Sequence, residues 1–274
     1  MPRLSISNLA WPDDADQEAL DLITSLGFDG IEIAPRRVLG DLREVKAEQI
    51  GTYRGQLVNR GLAVSALQGV LFGASGVQLF VSETTRFAMA NSLKEIARLG
   101  GALGASCCVF GAPALRDPGS LAPSATFAIA SEFFQDIAPQ FASEGLQLCF
   151  EAVPVAYGSR FVTATEEAYA LVEHVDTFGF ALLVDTATMF VNGEDPGIIE
   201  QFASRIGHVH VSEPNFVPVG TSRVDHQLIA KALATMSYDG WITVEMKASK
   251  NWQEAIQQAH GFVNRCYAIG AVPK

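Results

Sequence analysis

Basic residues are scarce in this chain: 19 Lys and Arg stand against 30 Asp and Glu, giving a formal net charge of −11 over 274 residues. The few that exist are scattered along the sequence. A nucleic-acid binder needs a Lys/Arg surface that displaces counterions from phosphates, so no nucleic-acid partner is expected. Cysteine is also sparse, with four in all. Cys107 and Cys108 are adjacent and would point to opposite faces of a strand, which opposes a bond between them. The expectation is reduced thiols, buried as small hydrophobes, in a cytoplasmic protein. Long apolar runs are missing too. The longest uncharged stretch, residues 99–115, holds four Gly and Pro113 and falls short of the ~20 apolar residues of a membrane span, so no membrane partner is expected. The opening MPRLSISNLAWPDD has no basic segment followed by an apolar one, and no secretory signal is read there. No low-complexity tract or Ser/Gly linker divides residues 1–274, which read as one domain.

What is present is a 49% hydrophobic fraction with only 18% charged residues, the balance of a folded chain with a large core. Short apolar runs alternate with stretches of helical period. In the first half the candidate strands are LSISNLA (4–10), GIEIAP (30–35), LAVSALQ (62–68) and SCCVFGAP (106–113). Helices are expected from Asp13 or Asp14 as a cap to residue 26, over 46–59, over 84–99 with an end at Gly100–Gly101, and over 124–143. The second half continues with helices over 163–175, after Asp195–Pro196, after Asp225 as a cap, and over 251–267. Eight strands each followed by a helix predict an α/β fold, a single (β/α)₈ TIM barrel, because parallel strands need such crossovers. The length is close to the roughly 250 residues typical of that barrel. A doubly wound open sheet is the alternative, but the Gly-rich loop it would carry after strand one is absent.

Four strands of the second half close on an acid or a histidine: LQLCFEAV at Glu151, FALLVDTA at Asp185, IGHVHVSE at His210 and WITVEMK at Glu245. They fall 34, 25 and 35 residues apart, one strand–helix unit per step. In a barrel the C-terminal strand ends share one rim, so the four would flank one pocket. Taken singly, Glu151 reads equally as a strand-end ion pair, Asp185 as a turn starter and His210 as a core histidine. As an ordered set they offer three carboxylates and one imidazole, which call for a cation. Their hard donors favour one Mn²⁺ or Mg²⁺ ion, with Co²⁺ or Zn²⁺ also able to occupy the site.

This ordered set, with the His208-Val-His210 pair and the segment YDGWITVE (238–245), resembles the xylose-isomerase-like barrels, the family of ketose 3-epimerases and related sugar isomerases. The resemblance implies one divalent metal held by Glu151, Asp185, His210 and Glu245. It implies an isomerase or epimerase of a small sugar or sugar phosphate, working by proton transfer α to a carbonyl through a metal-stabilised enediolate. Glu151 and Glu245 are then both ligands and the acid–base pair, with Glu245 the first base, while Asp185 and His210 mainly hold the ion. Homo-oligomers built through helices and rim loops are common in such barrels, although no residue here specifies one.

Two positions depart from the family. Thr188 stands where its epimerases often carry a substrate-binding His, and Phe216 where they carry an Arg. Substrate contacts are therefore sought in Gln68 at the end of strand three, Glu213 after strand seven, Arg223 in the next loop and Lys247. Strand alternation puts Lys247 on the face of Glu245, where it or Arg223 would meet a phosphate or carboxylate. Trp11 and Phe72 read either as walls for a sugar or as core, and Glu32 either as a pocket residue or as a structural ion pair. His208 reads as support, and His174, His226 and His260 as surface residues. Rival readings are a metal-dependent dehydratase or lyase acting on a hydroxy-keto acid, a DNA-repair nuclease of the same superfamily, and a non-catalytic sugar-binding barrel. The nuclease is disfavoured by only five His and by the acidic charge.

Overall fold

The computed structural model describes residues 2–267. Its strands are β1 (Arg3–Ser7), β2 (Gly30–Ile33), β3 (Ala63–Leu67), β4 (Cys107–Phe110), β5 (Gln147–Glu151), β6 (Phe180–Asp185), β7 (Ile206–Ser212) and β8 (Trp241–Glu245). Each pairs in parallel with the next, and β1 closes the ring on β8. The helices are α1 (Asp16–Leu26), α2 (Pro35–Leu39), α3 (Ala47–Asn59), α4 (Glu83–Leu103), α5 (Pro123–Ser143), α6 (Thr165–Val175), α7 (Thr186–Asn192), α8 (His226–Thr235) and α9 (Trp252–Tyr267). This is a (β/α)₈ TIM barrel, as the alternation predicts. Among the described residues, no helix is long and apolar enough to cross a membrane.

Period-two alternation decides what each strand presents to which side. Ile6, Ile31, Phe110, Phe150, Val184, Val211 and Val244 join the core beneath the helices, where Phe134 of α5 lies 4.7 Å from Phe180 and 5.2–5.3 Å from Phe110 and Phe150, centroid to centroid. The intervening residues fill the barrel, and they divide it. Ala66, Cys107, Val109, Cys149, Ala181 and Leu183, from β3 to β6, form a separate small apolar cluster. The opposite half is polar, with buried Ser5, Ser7, Glu32, His208, His210, Ser212, Thr243 and Glu245 on β1, β2, β7 and β8. At the base, the buried Trp241 at the start of β8 donates from Nε1 to Ser106 Oγ (3.0 Å), just before β4 on the far wall, and Arg3 lies 4.1 Å over its ring. That ring spans the floor. Cys107, Cys108 and Cys149 are free and buried, as expected, and Cys266 is partly buried.

Several boundaries differ from the sequence reading. Asp13 and Asp14 sit in a 3-10 turn and cap nothing; Asp13 pairs with Arg37 (2.7 Å). Strand one stops at Ser7, and Asn8–Ala10 form another 3-10 turn. Helix α4 runs through Gly100–Gly101 to Leu103, because a side chain at position 100 would strike Leu146 and glycine lets the two elements close up. Residues Pro196–Arg205 wind as 3-10 helix, with Asp195 accepting from Gly197 N (2.9 Å). Asp225 does cap α8, accepting from Leu228 N (3.1 Å).

Candidate metal and active site

Glu151, Asp185 and Glu245 are the last residues of β5, β6 and β8, and His210 lies two residues inside the end of β7. Strand register sets Asp185 level with His210, and Ser212 level with Glu245. Each of the four predicted ligands offers an atom within 4.8 Å of the others. The His210 ring turns one nitrogen to both glutamates, with Nδ1 3.2 Å from Glu245 Oε2 and 3.4 Å from Glu151 Oε1. Its Nε2 lies 3.0 Å from Glu32 Oε2, and the same oxygen meets His208 Nε2 at 3.0 Å. A carboxylate on Nε2 holds the proton there and aims Nδ1 at the cluster, an arrangement that orients metal-ligating imidazoles. Thr243 Oγ1 completes the network at 2.9 Å from His208 Nε2.

Asp185 is held from both sides: Oδ1 accepts from Thr188 N (2.6 Å) and Oδ2 from Ser212 Oγ (2.5 Å). It therefore also caps α7, so the turn-starting and site readings coexist in one residue. Glu151 turns Oε2 over Gly111, where any side chain would overlap it. Its backbone carbonyl accepts from Arg116 Nη2 (2.9 Å), a fully buried guanidinium lying 4.6 Å over the Phe150 ring.

The electrostatics follow from burial. Desolvation raises the carboxyls of Glu151, Asp185 and Glu245, and their mutual repulsion adds to it, against the attraction of His210. Burial would likewise raise Glu32, but the charge of His210 and hydrogen bonds from both imidazoles hold it down at about 2. Burial alone would lower His210; Glu32, Glu245 and Glu151 outweigh that and keep the ring protonated well above the usual imidazole range. Burial lowers the Arg116 guanidinium to about 9. A buried excess of hard oxygen donors around one imidazole nitrogen fits a divalent cation.

The substrate-contact candidates are distributed differently. Gln68 is buried, donates its amide to Ser7 Oγ and lines a cavity of about 400 Å³ that opens onto Glu151. Glu213 is turned away: its oxygens accept from Gly220 N (2.9 Å) and Ser222 Oγ and face His226 Nε2 (3.1 Å), bracing the loop after β7. His226 is thereby buried, not on the surface, and its Nδ1 meets Tyr267 Oη at 2.8 Å. Arg223 is exposed in that same loop. Lys247 is exposed with its ammonium 4.9 Å from the Phe216 ring; alternation lapses there because β8 ends at Glu245. Thr188 donates from Oγ1 to Ala152 O (3.3 Å). Trp11 is fully buried core, its Nε1 donating to Asp16 Oδ1 (3.1 Å), whereas Phe72 stands 80% exposed at the cavity lip. His174 is exposed and His260 half-buried. Glu32 is a buried partner of both histidines. Ser212, Gly111 and Arg116 were not anticipated; only Ser212 had a signal, its inward place two residues after His210.

The fold is shared with solved structures of sugar epimerases. L-Ribulose 3-epimerase superposes with a TM-score of 0.82 at 19% identity, over 100% of both chains. The D-allulose 3-epimerase from Methylomonas sp., in complex with D-allulose, gives 0.81 at 19% identity over 97% of each chain. The 3-keto-D-glucoside 4-epimerase from E. coli gives 0.77 at 16% identity, over 95% of this chain and 100% of that one. Among curated proteins, an inosose dehydratase from Clostridium beijerinckii is 31% identical across a segment covering 31% of this chain and only 36% of its own length. The family model described as xylose isomerase-like TIM barrel matches residues 20–266. With nearly the whole barrel inside that match, the chain belongs to the xylose isomerase-like TIM barrel family.

Proposed function

We propose that this chain is a divalent-metal-dependent isomerase or epimerase of a sugar or sugar phosphate, acting by proton transfer at the carbon beside a carbonyl. The observation that carries the reading is the convergence of Glu151, Asp185, His210 and Glu245 within 4.8 Å. These four would hold one cation, Mn²⁺ or Mg²⁺ by the hardness of their oxygens. When bound, the cation polarises the carbonyl and a neighbouring hydroxyl and stabilises the charge that develops as the adjacent carbon loses its proton. Glu245 takes that proton onto a carboxylate oxygen, and Glu151, which meets the same His210 Nδ1 from β5, returns one. Burial raises both carboxyls, which strengthens them as bases. Asp185, fixed by Thr188 and Ser212, and His210, fixed by Glu32, position the ion. Gln68 contacts the substrate from the cavity wall. Arg223 and Lys247, exposed on the loops after β7 and β8, supply positive charge for a phosphate or carboxylate, and Glu213 holds the first of those loops. A cytoplasmic setting accords with the four free thiols.

The match to the inosose dehydratase favours one second reading. The same proton is removed, a hydroxyl then leaves the next carbon, proton and hydroxide depart as water, and a C=C remains. The test loads purified protein with Mn²⁺ or Mg²⁺, offers ketoses, aldoses and hydroxy-keto acids in D₂O, and follows products by NMR. An isomer or epimer carrying deuterium at the reacting carbon supports the first reading, and a new C=C absorbance the second. Glu245→Gln is expected to lower turnover by about 10²–10⁴-fold. Full turnover by that variant overturns the acid–base assignment.

A further inference from the structure

The mouth of the barrel is unevenly lined. Above β3 to β5, the cavity of about 400 Å³ is walled by Val70, Leu71, Phe72, Val109, Pro113 and Leu115. Its size falls within the roughly 300–1,000 Å³ of small-molecule sites. Among the described residues, the polar side chains lining it are Gln68 and Glu151. Gln68 already donates its amide to Ser7, and Glu151 turns one oxygen to His210. A polyol pushed into this half would find few side-chain donors or acceptors in exchange for lost water, a net cost for each hydroxyl left unpaired. An apolar group pays no such penalty and gains by covering the walls. Phe72, with most of its ring facing solvent, stands ready to cover such a group at the lip. The segments after β4, β5, β6 and β7 also carry exposed apolar side chains, Leu121, Val155, Phe190 of α7 and Val217.

From this we infer that the substrate is a carbonyl-bearing polyol with an apolar substituent, aryl or alkyl, and that the cavity beside Glu151 receives the substituent. The inference rests on reading the neighbouring cluster as the acid–base centre. Because Glu151 belongs to both, the polyol end lies over the four ligands while the apolar end lies over β3 and β4.

The experiment compares D-fructose with 6-O-benzyl-D-fructose on the Mg²⁺-loaded full chain, with affinity measured by calorimetry and deuterium uptake at carbon followed in parallel by NMR. The benzyl ether is expected to bind at least about tenfold more tightly, a modest return for burying a phenyl ring. Phe72→Ala, checked for folding by circular dichroism, is expected to shrink that ratio. Equal affinities, no binding of either compound, or a ratio that Phe72→Ala leaves untouched overturns the inference. Deuterium uptake without an affinity gap keeps the catalytic reading and removes the substituent pocket. An affinity gap without uptake does the reverse.

Discussion

Glu151, Asp185 and His210 each depend on a neighbour that performs no chemistry. Gly111 is the sharpest case, since its missing side chain is the space that Glu151 Oε2 occupies. Gly111→Ala is expected to displace that oxygen and weaken Mn²⁺ binding by roughly 10–100-fold, the range seen when support around a ligand is lost. Calorimetric titration of the folded variant checks it. The pH dependence also follows residue by residue. Glu151, Asp185, Glu245 and His210 all hold protons more tightly than usual in the folded chain, and each must shed its proton to ligate. Cation affinity should therefore rise with pH from the carboxylate range to beyond the usual imidazole range, with protons released on binding. A Kd for Mg²⁺ that stays constant across that window would refute this. For folding, the signs divide. The four raised groups favour the folded state at low pH and lose that contribution as pH climbs through their folded values. Glu32 contributes above its ordinary 4.5, and that contribution is lost as pH falls toward about 2.

At the scale of elements, α5 is anchored against β4, β5 and β6 through Phe134 among Phe110, Phe150 and Phe180. Phe134→Ala should cost about 3–5 kcal/mol, whereas the exposed Phe72→Ala should stay within about 0.5 kcal/mol. Urea denaturation of both variants makes the comparison. The barrel strands were legible because a polar residue closing an apolar run stands out at period two, and this is also why Glu151, Asp185, His210 and Glu245 could be picked out together. Helices α2 and α7 were missed because five and seven residues are too few to display a 3.6-residue stripe. The signal that starts α7 was in plain view as Asp185, yet one side chain was doing two jobs. Glu213 shows the opposite failure. Its polarity after a strand looked like a substrate contact, but the partners that claim it, Gly220, Ser222 and His226, become neighbours only when the loop folds back. Lys247 leaves the face of Glu245 because alternation holds only as far as Glu245, where β8 stops.

For the whole molecule, the acid cluster at the strand ends is a standing liability. Three carboxylates of raised pKa repel one another at these strand ends, and they belong to the acidic excess that gives the chain its net charge of −11. Neutralising one should relieve the metal-free protein. Glu245→Gln is expected to raise its melting temperature, by about 2–4 °C for each ~1 kcal/mol of repulsion removed. The same variant should lose most of the upward shift that added Mn²⁺ gives the native chain. Paired thermal scans with and without the ion measure both, and a fall in the metal-free value would show that the cluster is not strained.

The ring of Trp241 across the base has a consequence for traffic. A well stoppered at the bottom has a single doorway, and whatever lies deepest must arrive first and depart last. An ion held as proposed, beside the nearly inaccessible His210, would occupy that innermost berth. On that reading, a substrate lodged above it would act as a lid, and chelators should strip the ion more slowly while the substrate stays.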